Sequence, residues 1–60
     1  MFKLILNQDK IVYGQQDKVN MMMKTKPMLS LLRHNIDDIK YEVIKLHKTR
    51  PELEVVFVGV

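Results

Sequence analysis

Phe2, Leu4 and Leu6 alternate along the start of the chain and share one side of an extended segment. Asn7-Gln8-Asp9-Lys10 follows, a turn composition, because Asn and Asp tolerate left-handed backbone and bond their own amides. Ile11-Val12-Tyr13 is then β-branched and aromatic, and Gly14 punctuates its end. This order of apolar run, turn and apolar run predicts a β-hairpin.

After the polar break Gln15-Gln16-Asp17, residues 18–24 alternate again, with Val19, Met21 and Met23 set against Asn20, Met22 and Lys24. The alternation predicts a third strand. Methionine and lysine favour helix slightly and Asp17 is a suitable N-cap, but Pro27 disfavours helical backbone at Lys26 and would stop such a helix early. Pro27 itself suits the first turn of a helix, where its missing N–H costs nothing. Met28, Leu29, Leu31 and Leu32 continue at helical spacing, so the pattern predicts helix over about 27–49.

Asn35 with Asp38 three residues on has the spacing of an N-cap and its acidic partner. That leaves two forms open: one helix, or two with a break at His34-Asn35. The later part is the cleaner, since Ile36, Ile39, Val43 and Leu46 draw an apolar stripe along one side. Asp37 and Asp38 at its start, and Lys45, His47 and Lys48 near its end, follow the order the helix macrodipole favours. Pro51 ends the element, and Glu52 to Val58 predicts a strand. The expected fold is a small single α+β domain over residues 1–60, β-β-β-α-β, with the strand 52–58 inside or at the edge of the sheet.

That last strand stops alternating at residue 55. Val55 and Phe57 would face one side and Val56 and Val58 the other, so both faces are apolar, as in strands covered on both sides. One helical layer covers only one face. Exposing Val56 and Val58 would forgo roughly 1.5–3 kcal/mol each, against a total stability of about 5 kcal/mol for so small a domain. Three arrangements would supply cover: a second copy stacked on the open face, a strand paired at the edge with its symmetry mate, or a split helix with one piece on each face. The two dimer arrangements are preferred. Val56, Val58 and Met22 are accordingly the expected self-association or partner surface.

Composition strengthens the size argument. Sixty residues without cysteine cannot add a disulfide or a thiolate metal site, which leaves oligomerisation among the usual staples of small domains. Phe2–Leu6 is too short and too soon interrupted for a signal-peptide core, and no run approaches the roughly 20 apolar residues of a membrane helix. The expectation is a cytoplasmic protein with no membrane partner.

The net charge of +3 lies wholly in residues 1–26, where five lysines face two aspartates; five cations balance five carboxylates in the rest. Lys18, Lys24 and Lys26 could meet a phosphate backbone. Only Tyr13 offers a stacking ring beside them, and no nucleic-acid-binding motif is present.

Catalytic chemistry is poorly served. His34 has Asp37 and Asp38 nearby, but Asp38 suits the helix cap and the three or four ligands of a metal site are not reached. His47 borders the apolar stripe, Ser30 sits among leucines, and Asp37 and Asp38 diverge around a helix. Gly14 and Gly59 are isolated, so no phosphate-binding loop or nucleotide cofactor is indicated. The run Met21-Met22-Met23, with Met28, suits adaptable packing in a core or an interface better than copper binding. The expected function is a non-catalytic regulator or adaptor, without cofactor, that acts as a homodimer and binds another protein. The alternative is a small basic nucleic-acid-binding protein.

Overall fold

In the computed structural model, residues 1–23 and 26–59 are described. They form β1 (Phe2–Leu6), β2 (Lys10–Gln15), α1 (Gln16–Met22), β3 (Leu29–Arg33), α2 (Ile36–Thr49) and β4 (Glu54–Val58). The four strands make one mixed sheet in the order β3-β1-β2-β4. β1 and β2 are the expected hairpin, pairing antiparallel from Phe2 opposite Gln15 to Leu6 opposite Ile11. Asn7 N–H donates to the Lys10 carbonyl (2.9 Å) across the turn. The α+β class and the paired C-terminal strand are as the sequence predicts; β4 lies at the edge, parallel to β2.

Two segments exchange their expected types. Residues 16–22 are helix, where the alternation in 18–24 predicted a strand. The inward residues are Val19, fully buried, and Met23 one turn later, while Met21 is 78% exposed. A strand would have buried Val19, Met21 and Met23 alike; the i, i+4 pair was the informative spacing. Asp17 lies in the first turn of α1, not at its N-cap, which is Gln15. α1 ends at Met22, ahead of the residue that Pro27 restricts.

Residues 29–33 are strand, where the apolar cluster after Pro27 predicted helix. A short apolar run fits either type, and here β1 decides: its second edge pairs antiparallel with Leu29–Arg33, Leu4 opposite Leu31. Pro27 therefore leads into a strand, with Met28 N–H donating to the Leu6 carbonyl at 2.9 Å. Ser30 sits on that exposed strand opposite Ile5, not within a helix.

Neither form left open for 27–49 is observed: the chain changes from strand to helix at His34-Asn35, so only the second part is helical. The Asn35 side chain accepts from Asp37 N–H (2.9 Å) and its carbonyl from Asp38 N–H (3.2 Å). Ile39 and Val43 are buried on the expected stripe, with Ile36 and Leu46 packed beside them.

This order of elements puts the helices on opposite faces. β2, β3 and β4 are mutually parallel, since β1 is antiparallel to β2 and to β3. The β2–α1–β3 connection crosses the sheet one way and β3–α2–β4 crosses back. Crossovers of one hand, as parallel connections almost always are, must then use opposite faces. The core is accordingly double. Leu4, Leu6, Ile11, Ile39, Val43 and Leu53 pack on the α2 side, and Ile5, Val12 and Val19 on the α1 side.

The premise of a single helical layer is thereby corrected. α1 is a second layer, and Val56 and Val58 pack half-buried against its cluster. Cover for that face comes from within the chain, an outcome close to the split-helix arrangement.

Gly14 lies inside β2, one residue short of its end, with β1 on one side and β4 on the other. Its φ is +147°, and a Cβ there would overlap the backbone carbonyl of Val58. Gly14→Ala is expected to destabilise by about 2 kcal/mol or more from strain and overlap together. A thermal melt followed by circular dichroism should fall by roughly 10 °C at this chain length.

Candidate functional site

The surface around β4 holds Met21, Met22, Val55 and Phe57 among the exposed large apolar side chains; Met28, Leu29 and Leu32 lie at the β3 edge. α2 packs over β3, β1 and β2 and so stops short of β4. On that side Val55 and Phe57 remain open, Phe57 at 49% exposure, with the Tyr13 ring beside it at 5.2 Å between centroids. On the other side α1 lies over β1 and β2. Because Val19 and Met23 turn inward, Lys18 and Met22, one helical turn apart, project along a flank of the helix. With Met21 and Val58 they line an open hollow of about 340 Å³ between α1 and β4.

The three residues expected on a partner surface are thus brought together. Val56 and Val58 belong to the cluster under α1, and Met22 faces Val58 across the hollow. Val55, Phe57 and Met21 belong to the same region and were not singled out from the sequence. The signal for Val55 and Phe57 was present in the strand's two apolar faces; which face stays open depends on where α2 ends.

Lys18 and Lys26 do not converge. Lys18 lines the methionine hollow, whereas Lys26 lines a separate polar hollow of about 410 Å³ with Asn7, Gln8 and Asp9 at the hairpin turn. Lys24 lies outside the described residues. Lys3 is engaged by the Asn20 side-chain oxygen at 2.6 Å.

Among the described residues no polar or charged side chain is buried, and no group of three or more His, Asp or Glu could hold a metal ion. A desolvated titratable group in a cleft, the usual sign of acid–base chemistry, is therefore not found among them. His34, His47, Asp37 and Asp38 are all exposed. On the outer side of α2, Lys45 lies 3.6 Å from Glu42 and 5.4 Å from the Tyr41 ring centroid, contacts of small worth on a solvated helix face. Among the described residues no helix is long and apolar enough to cross a membrane.

Comparison with protein-family models, curated proteins and solved structures finds no match to this chain.

The methionines of the hollow and the core valine beneath them are expected to respond differently to charge. Met21→Lys with Met22→Lys should change stability by no more than about 1 kcal/mol in a urea titration, as exposed positions usually do. Val19→Lys should abolish the cooperative transition, because a lone ammonium would replace a fully buried side chain.

Proposed function

We propose that this chain is a non-catalytic protein-binding regulator or adaptor that acts as a homodimer, with β4 as its contact strand. The observation that carries the reading is that β4 is an edge strand flanked by uncovered apolar side chains on both faces of the sheet. Val55 and Phe57 stand on the α2 side; Met21 and Met22 stand on the α1 side, beside the half-buried Val58.

Edge strands that must stay unpaired are commonly protected by lysine, proline or a bulge. β4 reads Glu-Val-Val-Phe-Val and has neither residue. An added strand gains main-chain hydrogen bonds along such an edge, and the flanking side chains supply selectivity. Methionines suit that second role, since a flexible thioether side chain adapts to differently shaped partners. The nucleic-acid alternative has less support: Lys18 and Lys26 line different hollows, and Tyr13 is half-buried beside Phe57.

Sedimentation velocity at two concentrations a hundredfold apart tests the reading. The wild type should sediment as a dimer at the higher concentration. Phe57→Lys with Val55→Lys, both at exposed positions, should remain a folded monomer. A wild type that stays monomeric throughout would show the reading to be wrong.

A further inference from the structure

Resting on that reading, we infer that the occupant of the β4 edge is the β4 of a second copy, paired antiparallel about a two-fold axis at Val56. The two four-stranded sheets then form one sheet of eight strands, β3-β1-β2-β4-β4-β2-β1-β3. Geometry narrows the choice. A two-fold that pairs a strand antiparallel with itself stands perpendicular to the sheet. It therefore keeps both α1 helices on one face and sets residues of the same face opposite each other. Centring on Val56 is the register that pairs all five residues of β4: Val56 with itself, Val55 with Phe57, and Glu54 with Val58.

Both faces of the seam are complementary in this register. On the α2 side, each exposed Phe57 meets the Val55 of the other copy, an aromatic–β-branched cross-strand pair. On the α1 side, Glu54 falls opposite the other copy's Val58, where Lys18 is already placed. The Lys18 stem runs over Gly59, with its Cδ where a Cβ on Gly59 would stand, and lines the hollow beside Val58. Neither Lys18 nor Glu54 has an ion-pair partner among the described residues, although Glu54 stands across from Lys10 in the parallel ladder. The dimer supplies the pairing twice.

The opposite edge of the sheet lacks this match. β3 carries no carboxylate, and self-pairing about Leu31 would set Arg33 against Leu29. Arg33 already donates from Nη1 to the Leu32 carbonyl at 2.7 Å. A β3-to-β4 contact between copies would be heterologous and would build a ring or an open filament, not a two-fold dimer.

The absence of cysteine makes a single introduced thiol diagnostic. Residues opposite each other in an antiparallel pair have Cα atoms about 4.5–5.5 Å apart, within disulfide range. Val56→Cys should therefore oxidise to a covalent dimer, and Leu31→Cys should not. Glu54→Lys and Lys18→Glu should each weaken the dimer on the order of tenfold, since each removes two ion pairs. The double variant should recover most of that loss, and this arm decides the matter if Val56→Cys does not fold. A dimer that cross-links through residue 31, shows no charge rescue, or grows into open-ended particles overturns the β4 register while leaving a self-associating protein. A wild-type chain that is monomeric at every concentration overturns both.

Discussion

The structure depends on a central pair of strands that is apolar on both faces. Leu4, Leu6 and Ile11 point to one side of β1 and β2, and Ile5 and Val12 to the other, all buried. Each such side chain contributes roughly 1.5–3 kcal/mol only when it is removed from water. A sheet with one helical layer would leave Ile5 and Val12 open. The chain meets this by ending β2 directly into α1, which lays Val19 over both residues, and by returning α2 across the opposite face. Sixty residues suffice for three layers because both crossings start and end on strands of the same sheet.

Economy at the centre leaves the periphery thin. α1 has seven residues, and α2 does not extend over β4. β4 is consequently well placed by its ladder with β2 and by Leu53 beneath α2, yet poorly covered along its outer side. Gly14 permits this placement: the close approach of the Val58 carbonyl to its Cα is possible only without a side chain. The same strand that completes the sheet therefore presents the free edge, with Glu54 at one end and Lys18 near the other.

Parts of this were legible in the residues themselves. The hairpin followed from Asn7-Gln8-Asp9-Lys10 between apolar runs, and α2 from the stripe Ile36, Ile39, Val43 and Leu46 with Asn35 before it. The two-faced character of residues 55–58 was also readable, as was the grouping of Val56, Val58 and Met22. Less visible was that Ile5 and Val12 repeat that two-faced pattern at the centre of the sheet. In β1 the alternation of Phe2, Leu4 and Leu6 marks only a single face.

By itself, the sequence determined the secondary-structure type wherever a local signal was unambiguous, and it determined that the last strand has no polar face. Only the tertiary structure decided the types of residues 16–22 and 29–33. Both segments are short and mixed, so their local preferences nearly balance and long-range contacts choose between them. Val19 is drawn into a helix by the uncovered Ile5 and Val12, and Leu29–Arg33 is drawn into a strand by the free edge of β1. The tertiary structure likewise decided which side of β4 stays open, because that depends on how far each helix reaches across the sheet. Val56 and Val58 are packed under α1, while Val55 and Phe57 are left at the surface.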